Sequence, residues 1–583
     1  MKTNEKQPTD LVNLKLLVNK TGLNAAYKII SAEVSCAFNK IASARVMIVD
    51  GDPAQQDFAI SSKEDGFLPG NEFEIQLGYH EKSKAIFKGI IIKQTIKSGK
   101  NKKSFILIEA RDQCVQLTLG RKSRCFFDKT DSELMEEIVS DSGFKRTAMN
   151  IAATKMKHAE MVQYNVTDWD FIVCRAEMNS LLVLTLDNKI IIQEPDTKQQ
   201  PVKEITYGKE VIEFESETDG RTQFGEVTAR SWDFKEQSSK EKETVSVAFK
   251  ENGMPDGKQI ADKMGLKKYE LFHTAFLNEE QLQSWSAARL LKSRMAKTIG
   301  FLRIKGTSDI IPGNTISLKG FGKRFNGTVL VSGVRHQYLE KGTWETEIRF
   351  GMDPEWFYEK RSVPDQPASG MVPGIQGLQI GIVVQINNDP EGEDRIKIQL
   401  PLVKGSENLW ARVASLDAGK ERGAFFRPEI NDEVVVGFLD NDPRYPIVLG
   451  TLHSEAKPAP IKATDSNNEK GFVTRSKLQL IFNDEKKSVT LQTPKGKKLI
   501  IDDEGDQILL TDQHGNKITI GSSGIVLESK KDISLKTSSG SCKMEAMNIS
   551  IEAATKLKAN GKASADFTSS GPTIVKGALV NIN

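Results

Sequence analysis

Side chains able to bind metals or attack substrates are present in this chain, but their spacing builds no reaction centre. The six histidines, His80, His158, His273, His336, His453 and His514, stand far apart with no HxH or HxxxH spacing, so no zinc-type ligand set is expected and each reads as a surface or barrel-edge residue. Asp502-Asp503-Glu504-Gly505-Asp506 offers the oxygens calcium prefers but lacks the loop spacing of an EF-hand, and reads as an acidic turn. Gly320-Phe321-Gly322 through Gly327 has neither a Gly-Lys-Ser/Thr ending nor a strand-to-helix setting, so a hairpin turn is expected in place of a phosphate loop. No serine or cysteine sits in a GxSxG or Cys–His context. The expectation is a non-enzyme with no catalytic residue, metal or cofactor.

The spacing that does recur is apolar. From Ile525 a pair at i and i+2 returns every eight residues: Ile525/Leu527, Ile533/Leu535, Ile549/Ile551, Leu557/Ala559 and Ala565/Phe567. One step, at Ser541 and Lys543, is out of register, and Cys542 with Met544 is placed to fill it as a bulge. An i, i+2 pair marks a strand with one buried face, and Ser523-Gly524, Lys530-Lys531 and Ser538-Ser539-Gly540 between the pairs are turn formers. Such a unit cannot bury its own face, so the array must stack into a β-solenoid or prism. One chain coiling three strands per turn and three chains each giving one side of a prism both satisfy the period. Ahead of it, Val489/Leu491, Leu499/Ile501, Ile508/Leu510 and Ile518/Ile520 advance by nine or ten residues through hairpin-like or wider corners.

The 583 residues leave room for three or four domains, and the 38% apolar content is that of a soluble protein. A net charge of +3, with acidic residues interspersed among the lysines, recruits neither nucleic acid nor an anionic membrane. The five cysteines, Cys36, Cys114, Cys125, Cys174 and Cys542, are odd in number and without CxxC spacing, which fits a reducing compartment. The polar opening Met1-Lys2-Thr3-Asn4-Glu5-Lys6 has no apolar core behind it, so neither a signal peptide nor a membrane span is expected, and synthesis and assembly are expected in the cytoplasm.

Two linkers, Ser362 to Gly377 and Ser454 to Gly471, divide the chain into an N-terminal block, a middle block and the repetitive tail. The N-terminal block contains a duplication. Leu68-Pro69-Gly70-Asn71, an alternating strand (Phe73, Ile75, Leu77), Phe87-Lys88-Gly89 opening a second strand and a third ending at Arg111-Asp112 are matched about 240 residues later. There the order is Ile311-Pro312-Gly313-Asn314, Ile316 and Leu318, Phe325-Asn326-Gly327 and a strand to Arg349-Phe350, so two small β-barrel-like domains are expected. Between them, helices are expected over Asp131 to Ser142 with an Asp/Ser start, from Thr167-Asp168 with Phe171, Cys174 and Ala176 inward, and over Asn278 to Lys297 with Leu282, Trp285, Ala288, Leu291 and Met295 inward. The middle block carries five short strands, at Ile380–Val384, Arg395–Leu400, Trp410–Val413, Glu433–Leu439 and Pro446–Gly450, with glycines where a small barrel must bend, which suits an OB-type barrel. Its aromatics, Trp410, Phe425, Phe426, Phe438 and Tyr445, are expected to fill the core and a subunit interface.

GIVVQINNDPEGEDRIKIQLP (381–401), WARVAS (410–415) and RPEINDEVVVGFLDNDPRYPIVLGTLH (427–453) together resemble the OB-fold domain of VgrG-type spike proteins of type VI secretion systems and related phage-like contractile injection particles. Asn431 and Asn441 stand where that family usually or often has Gly. QYNVTDWDF (163–171) is similar to an element of the family's N-terminal domain, and the octad tail is similar to its needle, in which three chains intertwine. The fold implied is mainly β: duplicated tube-like β-barrel domains with helical insertions, an OB-fold barrel and a C-terminal trimeric β-helix or prism needle. The boundaries expected are a first tube-like domain over 1–120, an inserted α/β region over 121–230, a second tube-like domain with a helix over 231–361, the linker 362–377, the OB-fold domain 378–453, the linker 454–471 and the needle 472–583.

The resemblance implies a homotrimeric puncturing spike that caps a hexameric, Hcp-like inner tube with a pseudo-hexameric ring, meets baseplate proteins, and carries a PAAR-like tip protein and effector cargo through a target envelope. Neither nucleic acid nor stable membrane insertion is implied. Arg395, Trp410, Arg412, Gly437, Asp442 and Pro443 are expected to organise the barrel and its trimer. Ile525, Leu527, Ile533, Leu535, Ile549, Ile551 and Leu557 are expected in the needle core, and Ile574, Val580 and Ile582 at the contact with the tip cap. No histidine follows His514 to hold a tip metal, so a separate cap is expected, and repeats running to Asn583 leave no space for an appended toxin domain. The spike of an extracellular phage-tail-like particle, an enzyme-bearing spike and a β-rich carbohydrate-binding protein are the alternatives.

Overall fold

Strict alternation of apolar and polar residues builds the N-terminal block. The computed structural model describes residues 11–582 apart from 25, 63–65, 81, 100–101, 234, 341, 361–362 and 364–365, with the side chain of Lys102 also left out. The polar opening at 1–6, part of the first linker (362, 364 and 365) and Asn583 therefore lie outside the described residues. The chain divides into two units, Met1–Gly377 with Phe438–Arg444, and Leu378–Gly437 with Tyr445–Asn583.

In the first unit the duplication is visible strand by strand. The first copy consists of β1 (Val12–Val18), β2 (Ile29–Ala37), β3 (Ser43–Val49), β4 (Glu72–Tyr79), β5 (Lys82–Gly99) and β6 (Lys102–Arg111). The second consists of β7 (Lys203–Thr206), β8 (Val211–Thr218), β9 (Thr298–Lys305), β10 (Thr315–Lys319), β11 (Gly327–Leu339) and β12 (Thr343–Phe350). Hydrogen bonding runs β2-β3-β6-β5-β4-β1 in one copy and β8-β9-β12-β11-β10-β7 in the other, so each strand has its counterpart six places later. β1 meets β4 antiparallel, whereas β7 meets β10 parallel. The second copy thus takes in residues 203–218, ahead of the boundary at 231 expected from the sequence. Val46, Ile48, Ile75, Ile106 and Ile108 form the core of the first copy, and Leu302, Ile316, Val331 and Ile348 that of the second, all fully buried.

The Pro-Gly-Asn turns of the two copies are built alike. Gly70 (φ 100°) donates its N–H to the Ile91 carbonyl at 2.8 Å, and Gly313 (φ 93°) donates to the Val331 carbonyl at 2.9 Å. Such a φ is open to glycine and costly for residues bearing a Cβ, which is why the motif is kept in both copies.

Among the described residues, four α-helices longer than a single turn decorate this unit: α1 (Asp131–Asp141), α2 (Asp168–Met178), α3 (Gly257–Met264) and α4 (Glu279–Met295). Their starts are set by side chains accepting from free N–H groups: Thr130 for α1, with Glu133 closing a capping box, Thr167 for α2, and Asn278 with Gln281 for α4. Asp131 and Ser132 are therefore inside α1, not ahead of it. Phe171 and Ala176 are buried and Cys174 half-buried; on α4 Leu282, Ala288, Leu291 and Met295 are buried while Trp285 is half-exposed. At 320–327 the connection between the antiparallel β10 and β11 contains one helical turn, Gly322–Phe325, so the hairpin is closed by a helical turn. None of the described helices is long and apolar enough to cross a membrane.

The second unit opens with a closed five-stranded barrel of β13 (Gln379–Gln385), β14 (Ile396–Gln399), β15 (Leu409–Val413), β16 (Glu433–Phe438) and β17 (Pro446–Thr451), in the order β13-β14-β15-β17-β16. Val383, Ile396, Ile398, Ala411, Val434, Val436 and Val448 fill it. Of the aromatics expected to fill its core and a subunit interface, none is in the core: Phe425, Phe426 and Tyr445 are exposed, and Trp410 and Phe438 are half-buried. β-Branched residues fit the small lumen better than rings do. A seven-stranded antiparallel meander follows, in chain order from Glu469–Val473 to Gly524–Glu528.

Candidate functional site: barrel turns and an uncovered apolar face

The meander and the tail behind it present one continuous feature. Directly opposed residues share a face in an antiparallel sheet. The register therefore aligns Phe482, Val489, Ile501, Ile508, Ile520 and Ile525 in one row. Beside it runs a second row of Leu480, Leu491, Leu499, Leu510, Ile518 and Leu527. The face is two side chains wide and apolar throughout, and nothing among the described residues of one chain covers it: Leu510 is 50% exposed and Leu527 57%.

Beyond Glu528 the chain runs on with no strand paired within it among the described residues. Of the residues expected in the needle core, Ile525 and Leu527 lie on the last meander strand, paired with Ile520 and Ile518. Ile533, Leu535, Ile549, Ile551 and Leu557 lie in the tail and are exposed, Leu535 at 77%. Ile574, Val580 and Ile582 are likewise exposed.

The barrel residues divide into several roles. Arg395 donates from Nε and Nη to both oxygens of Asp389, the shortest at 2.7 Å, and pairs with Glu391 at 3.1 Å. Hydrogen bonds from Arg395 hold the Asp389 carboxyl well below the usual carboxylate range. Its guanidinium is thereby committed to the 388–394 turn of its own chain. Trp410 is half-buried with Lys397 Nζ 4.9 Å from its ring centre, and Arg412 is exposed while its backbone pairs with Ile447. Gly437 is buried, and a Cβ there would meet Leu449 at an ordinary 3.5 Å. Asp442 is buried and accepts from Arg444 Nη at 2.7 Å, with Pro443 between them. Asn431 (φ 70°) and Asn441 (φ 56°), the two substitutions for a usual glycine, both adopt the left-handed backbone that Asn tolerates better than most residues.

Sequence reasoning missed the contact between barrel and meander. Phe426 stacks on Phe472 with ring centres 5.0 Å apart, and Arg475 pairs with Glu429 at 2.9 Å. The adjacent Phe425-Phe426, outside any alternating strand pattern, was the available signal. It also missed the polar network beneath QYNVTDWDF. Gln163 is fully buried, accepts from Arg124 Nε at 2.9 Å and donates to Asp168 Oδ1 at 2.9 Å, while Arg124 Nη2 reaches the same oxygen at 2.8 Å. Two histidines expected at the surface or a barrel edge are buried: His158 meets Asp131 at 2.9 Å, and His336 meets Thr346 at 3.0 Å. Among the described residues no group of three His, Cys, Asp or Glu side chains is placed to hold a metal ion.

Residues 8–340 match the family model of the Alg8 N-terminal domain, residues 379–453 the type VI secretion system/phage-baseplate injector OB domain, and residues 488–583 the phage baseplate V C-terminal trimerisation domain. The type VI secretion system spike protein VgrG1b of Pseudomonas aeruginosa is 21% identical over 461 residues, covering 71% of this chain and 57% of that protein. VgrG3 of Vibrio cholerae is 31% identical over 105 residues, 16% of this chain and 10% of that protein. The chain thus spans little more than half the length of the first of these relatives. Among solved structures, the 43 kDa tail protein of prophage MuSo2 from Shewanella oneidensis has a TM-score of 0.44 and 9% identity, covering 59% of this chain and 98% of that one. The Francisella PdpA-VgrG complex has a TM-score of 0.39 and 10% identity, covering 89% and 87%. With the first family match extending over more than half of its length, the chain belongs to the Alg8 N-terminal domain family, and the two matches that follow in order are to an injector OB domain and a baseplate trimerisation domain.

Proposed function

We propose that this chain is a non-enzymatic puncturing spike, working as a homotrimer at the tip of a contractile injection machine of the type VI class. The uncovered apolar face is the observation that carries the proposal. A row of Ile, Leu, Val and Phe left in water along a whole meander, then repeated through a tail with no strand partner among the described residues of its own chain, is satisfied by identical chains around a threefold axis. From Ser488 onward the segment involved falls within the match to a trimerisation domain. Strand pairing between chains removes the open ladders, and stacked Ile and Leu layers give a shaft that resists bending.

The duplicated N-terminal domains serve as the adaptor. Two similar domains on each of three chains give six similar positions, which suits docking on a hexameric, Hcp-like tube beside baseplate proteins. Ile574, Val580 and Ile582 offer an apolar end for a PAAR-like cap, with effectors carried alongside. The protein assembles in the cytoplasm and leaves when the sheath contracts. Arg412, exposed on the barrel wall, and Trp410 are the residues assigned to contacts between barrels, while Arg395, Gly437, Asp442 and Pro443 shape the barrel that presents them. Light scattering on the full chain should give three times the chain mass; a stable monomer at micromolar concentration would sink the proposal.

A further inference from the structure

We propose that neighbouring copies join edge to edge by pairing β8 of one copy with the outer half of β5 (Lys93–Gly99) of the next, in the register with which β2 pairs with β11 inside each chain. This inference rests on the trimer reading and specifies where the N-terminal blocks touch.

The template is the junction between the two duplicated domains. There β2 lies antiparallel to the outer half of β11, from Gly333 opposite Ala37 to Leu339 opposite Ser31. The counterparts of those two edges are β8 and the outer half of β5. β8 pairs with β9 along one side only. β5 pairs with β4 over Lys82 to Ile90, and its outer half pairs with β6 alone. Both edges are without a second strand partner among the described residues: β8 ends the sheet path, and the outer half of β5 runs on past the point where β4 stops at Ile90. An edge of this kind templates a further strand.

Shared irregularities fix the correspondence to the residue. The pairing of β5 with β6 shifts register between Ile91 and Lys93, and that of β11 with β12 between Val331 and Gly333. β2 on β3 shifts between Ile29 and Ser31, and β8 on β9 between Val211 and Glu213. Ile91 and Val331 also accept the same turn hydrogen bond, from Gly70 and Gly313. Lys93 therefore corresponds to Gly333, and Glu213 to Ser31. Carrying the internal register across sets Gln94 opposite Thr218, Thr95 opposite Glu217, Ile96 opposite Ser216, Lys97 opposite Glu215 and Gly99 opposite Glu213.

The side chains suit that register. β8 carries exposed Glu213, Glu215 and Glu217 on one face, and the outer half of β5 carries exposed Lys93 and Lys97 on the corresponding face. Lys97 meets Glu215 directly, and Glu217 lies diagonally between the two lysines, within reach of both. The internal junction uses such a diagonal pair already: Arg335 reaches Glu33 at 2.8 Å. On the other face the junction covers Ile96, which is 45% exposed in the single chain. The ladder supplies continuity, and the opposite charges reject pairing between two acidic or two basic edges.

The test is disulfide trapping in the full chain, with the exposed Cys125 and Cys542 changed to Ser. Gln94→Cys with Thr218→Cys places two sulfurs on directly opposed residues, within the separation a disulfide spans. Ser98→Cys with Thr218→Cys is displaced along the strand by about 13 Å and serves as the control. Mild oxidation of the first variant should give dimer and trimer bands on a non-reducing gel, and the control should give at least tenfold less. Trimers by light scattering without Gln94–Thr218 cross-links, or equal cross-linking in the control, overturn the edge assignment and leave the trimer standing. A monomer overturns the trimer reading itself. Lys97→Glu should weaken cross-linking severalfold, and Glu215→Lys in the same chain should restore it; a double variant no better than the single also counts against the register.

Discussion

Replacing Asp131 by Asn should loosen the α1–α2 region by about 3 kcal/mol. The Asp131 side chain is fully buried, and its two oxygens take Arg175 Nε at 2.6 Å, Arg175 Nη2 at 3.0 Å, His158 Nε2 at 2.9 Å and Asn179 Nδ2 at 2.9 Å. Burial alone would raise its pKa; the hydrogen bonds from His158, Arg175 and Asn179 outweigh this and hold the carboxyl well below the usual carboxylate range. Breaking one side of a buried pair costs about 3–5 kcal/mol, and the 17% residual exposure of Arg175 places this case at the lower end. The amide of the Asp131→Asn variant keeps the shape but leaves the guanidinium without its counter-charge. Hydrogen exchange read on peptides spanning 131–141 and 168–178 should accelerate by about two orders of magnitude, the equivalent of that energy. Because the folded pKa is depressed, the stabilisation is present above pH ~4 and is lost as pH falls below it. A second variant, Arg175→Met, completes a double-mutant cycle with a coupling of about 2 kcal/mol expected. Loss of less than about 1 kcal/mol in Asp131→Asn, or strict additivity in the cycle, would refute the assignment of this carboxylate as the tie between the two helices.

Other expectations follow from the same geometry. Burial pushes the His336 pKa down to about 4, so the unfolded chain takes the proton first, and stability should fall by about 3 kcal/mol as pH drops from ~6.5 to ~4. His336→Gln should remove that slope in urea titrations across the same range. Thr130→Ala deletes the α1 cap and should cost about 1 kcal/mol by thermal unfolding, with Thr130→Ser largely neutral. Leu510→Asp forfeits about 1 kcal/mol of apolar burial per chain and brings three carboxylates to one axis, so light scattering should report loss of the trimer. The same substitution at the exposed Leu416, outside the apolar rows, should leave it intact.

The barrel was legible because each of its strands is short, β-branched and bounded by turn formers, and Val434 and Val436 fell inward as alternation requires. The i, i+2 rhythm located the meander strands, yet the period alone could not say that Ile525 and Leu527 close the meander instead of opening the tail; pairing with Ile520 and Ile518 decides that. Helix α3 was signposted by Asp256, Gln259 and Gly265, a capping box with a left-handed glycine stop, in a segment too short for its apolar spacing to stand out. The burial of His158 and His336 was not readable, since it depends on Asp131 and on Thr346 from other strands or helices. Arg395 looks from sequence like a residue free to reach across to a neighbour, but Asp389 six positions earlier already claims it.

The unshielded Ile and Leu rows of the meander impose an order of events on biosynthesis. A greasy, flat ladder released alone into a crowded cell invites promiscuous sticking and fibril-like stacking. In the proposed trimer, the duplicated block and the barrel, delivered first by the ribosome, can fold and gather sister polypeptides while the shaft is still being made. Tethered at high effective concentration, each shaft then meets its own kind before it meets anything else.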